Sequence, residues 1–341
     1  MKRNKSRILL SLIITAVMLL CCACMQANIK EDEIREDLVA LDPQAALEKE
    51  ITFVCYSQML DEPYLAGITR TVVLSGGERA ENAIIESVIN APMAISGEQG
   101  RLFPEGTEVV DLSMDGNVLY LTLSGEFLDE SELTRENERL KKELDDGLCT
   151  QMEYDNNIKT ARDVFFTRRR MAVYALANTV SGYRDNTRLL LLVDTEGKGT
   201  GVRLPRSVFF YQDDTSALIE PLTFEEDVVV SSEKMATLFL QHWQSREYEA
   251  MYELLTFSYS ENPVDYNAFE AEMRERGELR NYQVNGISLQ GNDMQQINVS
   301  LTVVDSSGRD LFLENSRLSM RNDGGLFRPD YTSFRQILEA L

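Results

Sequence analysis

The sequence predicts two α+β domains in series. Helical and strand-like patterns interleave between residues 51 and 228, and helices precede a run of strands between residues 229 and 341. The length of 341 residues also fits two domains better than one. We therefore expect a first domain in which helices cover a small sheet, followed by a second domain of helices and an antiparallel meander.

The first 23 residues have the pattern of a secretory signal peptide. A head of two lysines and two arginines precedes an apolar run over residues 8–20. That run is shorter than the roughly 20 residues that a membrane-spanning helix needs. The rest of the sequence has no second apolar stretch of spanning length, which predicts a folded body outside the cytoplasm.

The end of the apolar run resembles the lipoprotein box of bacteria. In that box a small residue, here Ala23, precedes a cysteine, here Cys24, which receives diacylglycerol and becomes the mature N-terminus. Cys21 departs from the box, where leucine is usual. An ordinary cleaved signal peptide and a short uncleaved anchor remain open alternatives. Two acyl chains would hold the protein at the membrane, because each buried methylene contributes about 0.8 kcal/mol.

The net charge limits the classes of partner, and the cysteines bear on whether the chain contains a disulfide. A net charge of −22 disfavours binding to nucleic acid, because recognition of nucleic acid needs clustered Lys and Arg. Residues 24–50 are charged and weakly patterned, which predicts an acidic tether before the folded body. Cys55 and Cys149 are the other cysteines after the signal peptide. They form a disulfide or remain two separate buried thiols, and both alternatives stay open.

The first domain, residues 51–228, begins with two strand-like segments. A helix over residues 80–89 is expected next, because its apolar residues recur at helical spacing and Pro92 follows. Alternating apolar residues then flank Asp115-Gly116, which predicts a β-hairpin with that dipeptide as its two-residue turn.

A charged stretch follows the β-hairpin. Residues 129–146 predict a helix within a solvated surface insertion at about residues 129–155. A longer helix is expected at about residues 157–181, and the run "TRLLLLVD", residues 187–194, predicts a buried strand.

The second domain, residues 229–341, begins with helices. Ser231 or Ser232 is expected to cap the first helix, which breaks near "SREY", residues 245–248. Another helix is expected at residues 264–276. Strand-like runs follow, separated by the turn sequences "QGND", "DSSG" and "NDGG".

Four segments of the first domain, in order, resemble the GerMN domain of GerM-type spore-germination and sporulation lipoproteins. They are "AIIESVINAP", "LFPEGTEVVDLSMDGNVLYLTLSGEF", "MAVYALANTVSGY" and "RLLLLVDTEGKG". The resemblance covers roughly residues 51–221, and the insertion at 129–155 exceeds the core of that family. No catalytic residue defines the family. Its fold resembles the ring-building modules of bacterial envelope machines, which implies a role in assembly.

The second domain resembles the NTF2-like domains, in particular the non-catalytic N-terminal module of some penicillin-binding proteins. The segment "FLQHWQSREYEAMYELLT", residues 239–256, carries the resemblance, which covers residues 231–341. It implies a cone-shaped fold that many unrelated functions share. Aromatic residues of the C-terminal tail are expected to close that cone, with a binding patch as the alternative; they are Phe327, Tyr331 and Phe334.

The sequence offers little catalytic chemistry. His242 is the sole histidine, and the sequence contains no G-x-S-x-G motif. A hydrolytic triad would depend on His242 alone, and a zinc site of His and Cys would have few ligands to draw on. The sequences "SGGE", residues 75–78, and "GKGTG", residues 197–201, are interpreted as turns rather than phosphate loops. We expect no catalytic, cofactor-binding or metal-binding residue and no cofactor.

Three successive arginines, Arg168, Arg169 and Arg170, lie within the long predicted helix. Neighbouring residues of a helix point about 100° apart, so the three cannot form one stripe. Pairing with carboxylates of this chain is favoured, and a specific acidic partner is the alternative.

These patterns predict a non-enzymatic envelope scaffold, anchored through Cys24 and active in sporulation or germination. Its expected partners are the membrane, other envelope or sporulation proteins and further copies of itself. The alternative is a ligand-binding or accessory protein for peptidoglycan synthesis that uses the NTF2-like pocket. A pocket lined by convergent polar groups would favour the alternative, and one filled by Trp243, Phe327 or Tyr331 would favour the scaffold.

Overall fold

The structure, a computed structural model, describes residues 49–59, 62–92, 101–210, 217–258, 260, 263–305 and 307–341. Residues 49–341 belong to one compact unit. The predicted signal peptide, Cys24 and the predicted tether up to residue 48 lie outside the described residues. The predicted tether is too long at its end, because Lys49 and Glu50 already belong to the first strand.

The fold combines helices and sheets, as the sequence predicts. Strand β1 (Lys49–Gln58) pairs antiparallel with β2 (Leu65–Leu74), and helix α1 (Ala80–Ile89) follows. The helix prediction is confirmed, and α1 buries the apolar residues that predicted it. The first region contains two sheets rather than the single small sheet that was expected.

The second sheet has three strands in the order β3-β4-β5. They are β3 (Val109–Asp115), β4 (Val118–Ser124) and β5 (Arg188–Asp194). The β-hairpin prediction is confirmed, but its turn is Gly116-Asn117 rather than Asp115-Gly116. Asp115 pairs with Val118, which leaves Gly116 at φ +59° to make the turn.

Strands β4 and β5 are parallel, so a crossover must connect them. The connection contains helices α2 (Ser131–Asp145) and α3 (Gln151–Tyr183). Only the C-terminal half of α3 is needed for the crossover; α2 and the N-terminal half of α3 make an additional helical hairpin. The helix begins six residues before the predicted start at residue 157, because Thr150 and Glu153 form a capping box.

The last third of the chain has helices first and a meander afterwards, as predicted. The helices are α4 (Ser232–Ser245), α5 (Tyr248–Leu254) and α6 (Tyr266–Arg276). The strands, paired antiparallel in sequence order, are β6 (Glu278–Leu289), β7 (Met294–Val304), β8 (Asp310–Asp323) and β9 (Leu326–Pro329). A further helix, α7 (Tyr331–Ala340), was not expected; the Asp330 side chain caps it by accepting the N–H of Ser333.

Two hydrophobic cores lie in this unit. The first is built from β1 to β5, α1 and α3, and the second from α4 to α7 and β6 to β9. The β1–β2 pair contributes to both, since Cys55 lies in the first core while Met59 and Ala66 lie in the second. Further along the chain, Val228 packs against the first core and Val230 against the second. The division into two domains at 228/229 stays a prediction.

Candidate functional site

His242 lies in the last turn of α4 between two carboxylates. Its Nδ1 is 2.7 Å from Oε2 of Glu247, and its Nε2 is 4.0 Å from Oε1 of Glu62. The ring thus hydrogen-bonds to one carboxylate and lies near a second. A catalytic triad instead requires the ring to contact a nucleophile. The geometry therefore gives His242 a structural position at the surface of α4.

The two glycine-containing segments are turns, as predicted. Gly77 makes its turn at φ +88°, and the Glu78 carboxylate accepts the N–H of Ser75. After β5, the Asp194 carboxylate accepts the N–H groups of Glu196, Lys198 and Gly199. Burial alone would raise the pKa of Asp194, but these backbone donors together hold it below its usual range. A phosphate would find the donors of this loop already occupied.

The interior of the second core is filled by aromatic side chains. Trp243 and Phe239 each pack edge-to-face against Phe334, with ring centres 5.5 and 4.8 Å apart. Tyr331 is buried and packs on Phe257, whereas Phe327 is half-buried at the edge of this core. Within the described residues, the interior of the second core is thus filled by this chain's own aromatic rings.

A shallow depression of about 640 Å³ lies between α6 and α7. Three of its polar residues, Glu272, Arg276 and Tyr331, bond to one another or to the backbone. Tyr331 donates to Glu272 over 3.3 Å, and Arg276 donates to the Leu338 carbonyl over 2.9 Å. These pairings leave it few polar groups free to recognise a small molecule.

Two larger concavities lie on the helical hairpin, which we define as α2 with residues 151–168 of α3. The base cleft, about 670 Å³, lies where the hairpin leaves the core. Its lining includes Arg101, Phe103, Phe127, Arg135, Phe165, Arg168 and Arg169. The hairpin groove, about 720 Å³, lies between the two helices. Its floor is apolar and consists of Leu133, Leu140, Ala161, Val164 and Phe165.

One face of α3 forms one wall of the groove. Residues 157, 160, 161, 164, 165 and 168 line it, and they recur every three or four positions, so they share one face of the helix. Glu132, Arg135, Phe165 and Arg168 line both concavities. The base cleft and the hairpin groove are therefore one continuous surface.

Two of the three successive arginines pair with carboxylates of this chain, as expected. Arg168 donates to Glu132 over 2.8 Å at the surface. Arg169 is buried, donates to Glu130 over 3.2 Å and to the Leu128 carbonyl over 3.1 Å, and lies 5.0 Å from the ring centre of Phe165. Burial lowers the pKa of the Arg169 guanidinium, and Glu130 opposes that effect.

The other two arginines of the base cleft have no such partners. Among the described residues, neither Arg101 nor Arg135 makes an ion pair or a side-chain hydrogen bond. Glu105, Asp129 and Glu132 line the base cleft together with its arginines. Hydrogen bonds from Ser131 and, to a smaller extent, the charge of Arg135 lower the pKa of Asp129. The base cleft therefore carries both signs of charge and is partly apolar.

The hairpin tip, residues 143–153, is acidic and partly apolar, and one of its carboxylates, Glu143, pairs with Arg139 of α2. It carries four carboxylates and no cation. Leu148 and Met152 are 75 % and 72 % exposed to solvent. Gly147 at φ +71° ends α2 in a Schellman arrangement, in which the N–H groups of Gly147 and Leu148 bond to the carbonyls of Leu144 and Glu143. The residue at the position of Leu148 commonly packs on the helix that it ends, but here it projects into solvent.

Sequence reasoning missed the base cleft, the hairpin groove and the hairpin tip. Gly147 followed by Thr150 and Glu153 is a helix stop followed by a helix start, and it could have located the tip. The clefts depend on how α2 lies against α3, which residue types alone do not specify.

Cys55 and Cys149 are both free thiols. Cys55 is buried, and burial raises its pKa to about 11; Cys149 is half-buried at the hairpin tip. Within the described residues, His, Cys, Asp and Glu side chains form no group of three that could hold a metal ion. None of the described helices is both long enough and apolar enough to cross a membrane.

Comparison with known proteins adds no relative to this picture. No model of a known protein family matches the chain, and no curated protein matches it. The helical hairpin, with its base cleft and its tip, is thus the candidate functional surface on the geometry and charge of its own residues.

Proposed function

We propose that this protein is a non-enzymatic lipoprotein of the bacterial envelope that acts as a scaffold or assembly component in sporulation or spore germination. Diacylglycerol on Cys24 anchors it to the outer face of the cell membrane. A GerMN-like domain and an NTF2-like domain then present protein-binding surfaces. The resemblances of the two domains support the sporulation role, and the signal-peptide pattern supports the anchor.

One observation carries the assembly part of the proposal. The helical hairpin extends from the first core and bears a cleft lined by arginines and carboxylates and a tip with two exposed apolar side chains. Leu148 and Met152 lie close together at the end of the hairpin, and neighbouring exposed apolar side chains are a feature that a protein interface would bury. In contrast, aromatic rings fill the interior of the second core, which weighs against the ligand-binding alternative.

Crosslinking of the full-length tagged protein in its native membrane tests the proposal. Partners captured by the crosslinker are identified by mass spectrometry. We expect copies of the protein itself and other envelope proteins of the sporulation stage. Capture of cell-wall synthases or wall fragments alone would contradict the assembly role and favour the alternative.

A Cys24→Ala variant tests the anchor separately. We expect the wild-type protein to enter the detergent phase in a phase partition and to incorporate labelled lipid. The variant should incorporate none, and its capture profile should lose the membrane-associated partners. Equal lipid incorporation by both proteins would contradict anchoring at Cys24.

A further inference from the structure

The sheet of β6 to β9 has one face in the second core and one face toward solvent. Side chains of β7 alternate between the two faces, and Ile297, Val299, Leu301 and Val303 are buried in the core. The residues between them face the other way, and every one of them is uncharged: Met294, Gln296, Asn298, Ser300, Thr302 and Val304. We call this side of β6, β7 and β8 the open face.

Strand β6 continues the uncharged character of the open face. Asn281 lies opposite Thr302 and Gln283 opposite Ser300, and both amides are exposed, as is Asn285. Charged residues make up 26 % of the chain, and they normally occupy its solvated surfaces. These positions on β6 and β7 instead carry amides and hydroxyls, which makes the open face chemically distinct from the rest of the acidic surface.

Strand β8 adds an aromatic ring to the open face. Phe312 is 72 % exposed and lies opposite Thr302, so Phe312, Thr302 and Asn281 form a row across three strands. Two strand spacings separate the ring from the Asn281 amide by about 10 Å. Farther along β8, Glu314 and Arg317 add one charge of each sign, so the open face has no net charge.

Some of these polar groups are bonded to one another, and others are available. The Asn285 amide donates to Oγ of Ser300 over 2.9 Å and to Oδ1 of Asn315 over 3.0 Å, which fixes side chains of three strands. Among the described residues, the side chains of Asn281 and Gln283 have no hydrogen-bond partner. Each of these amides offers two donors and one acceptor to a ligand.

The chemistry of the open face restricts its ligand. Nucleic acid and anionic lipid would need clustered cations, which amides and hydroxyls do not supply. A protein partner would need an apolar cluster at the centre of the face, where the described residues place polar groups. A sugar ring fits, because its hydroxyl groups bond to amides and its C–H groups can pack on the π-face of an aromatic ring.

We propose that the open face binds a neutral polysaccharide chain. One sugar packs on Phe312, and the following sugars cross β7 and bond to the amides of Asn281 and Gln283. The bonds already formed around Asn285 reduce the side-chain ordering that binding requires. This binding activity goes beyond the assembly role proposed above and does not depend on it.

Co-sedimentation of the purified full-length protein in detergent tests the proposal. The probes are three insoluble polysaccharides: chitin, cellulose and purified peptidoglycan. We expect binding to at least one of them, with an affinity that changes little between about 0.1 and 0.5 M salt, because a neutral ligand involves no ion pairs to screen. Binding to none of the three, or binding that is lost as salt rises, would overturn the proposal.

Two variants assign the binding to the open face. Phe312→Ala removes the ring and should weaken binding about five- to tenfold. Asn281→Asp combined with Gln283→Glu keeps the side-chain shapes but removes both amide donors, and it should also weaken binding. All three positions are exposed, so the variants should unfold at the same urea concentration as the wild type.

Two matched controls should bind like the wild type. Leu289→Ala removes another exposed apolar side chain of β6, about 25 Å along the strand from Asn281. Asn156→Asp makes the amide-to-acid change at an exposed position of α3. Equal binding by Phe312→Ala and the wild type, or an equal loss in the controls, would contradict a site on the open face.

The outcomes are separate from those of the crosslinking experiment, because purified protein is tested without its partners. If envelope partners are captured but no polysaccharide is bound, only the open-face site is wrong. If Phe312-dependent binding is found but no envelope partner is captured, the site stands and the assembly role is wrong.

Discussion

The two halves of helix α3 differ in what their side chains contact. From Met171 to Val180 the helix is buried against β1, α1 and the three-stranded sheet. From Gln151 to Arg168 it contacts α2, and its outward positions are exposed. One half of this continuous helix thus packs in the core, and the other half forms part of the exposed surface of the hairpin.

This difference teaches how stability and function can be separated in this protein. The parallel pairing of β4 and β5 requires the buried half as a crossover, but nothing in the sheet requires the exposed half. Changes in the buried half should therefore lower the free energy of unfolding. Changes in the exposed half should leave the fold intact and alter only what the surface binds.

The largest effect is expected from Leu176→Ala in the buried half. Leu176 is fully buried, so truncation leaves a cavity and should lower the free energy of unfolding by about 2–5 kcal/mol. Val164→Ala, in the exposed half, should change it by about 0.5 kcal/mol or less. Urea denaturation of the two variants and the wild type measures both. Similar losses in the two variants would show that the hairpin is part of the core.

A polar substitution should show the same contrast with a smaller effect. The Asn178 side chain donates to the Glu225 carbonyl over 3.0 Å and accepts the Glu225 N–H over 2.8 Å, fully buried. Asn178→Asp removes the donor and buries a carboxyl group, which should cost about 2–4 kcal/mol. The cost should grow as the pH rises, because burial disfavours the charged form.

The same substitution in the exposed half is the control. Asn157→Asp should shift the free energy of unfolding by about 0.5 kcal/mol or less at any pH between 5 and 8. A large loss there, or none at Asn178, would contradict the division of α3.

Two adjacent arginines give the comparison at the junction of the halves. Arg169 has 5 % of its side chain exposed and Arg168 has 25 %, and the carboxylate of Glu132 that pairs with Arg168 is 61 % exposed. Arg169→Met leaves the Leu128 carbonyl unpaired and should cost about 1–2 kcal/mol. Arg168→Met breaks a surface pair and should cost less than about 0.5 kcal/mol. Equal costs, measured by urea denaturation, would contradict the assigned positions.

Elements with complete local signals were predictable from the sequence. Helix α1 shows apolar periodicity and ends before Pro92, and α4 begins at Ser231, whose side chain accepts the N–H of Lys234. The turn at Asp115-Gly116 was misplaced by one residue, because strand register, which the sequence does not state, decides which residues turn.

The candidate site was not predictable in the same way. Residues 129–155 were identified as a charged surface insertion, and α2 does lie at the surface. The groove arises only because α2 folds back on α3, which brings Leu140 next to Ala161 and Val164. The residue types of the groove are those of any solvated helix. Long-range packing, rather than local pattern, makes them a surface.

The smallest expected effect concerns the first turn of α3. The backbone N–H of Thr150 donates to the Glu153 carboxylate over 2.7 Å and its hydroxyl over 2.8 Å, and these bonds lower the pKa of Glu153. A lowered pKa means that the cap stabilises the helix start fully above the ordinary glutamate pKa of about 4.3 and is lost as the pH falls through the lowered value.

Hydrogen exchange of α3 peptides, corrected for the intrinsic pH dependence, measures this loss. The first turn should lose protection as the pH falls below about 4.3, whereas the buried half should keep it until global unfolding. Glu153→Gln retains a capping residue that does not titrate, so its first turn should show no such step. A step of equal size in that variant would assign the change to other carboxylates of the tip. The hairpin would then respond to acid through its repelling charges rather than through its cap.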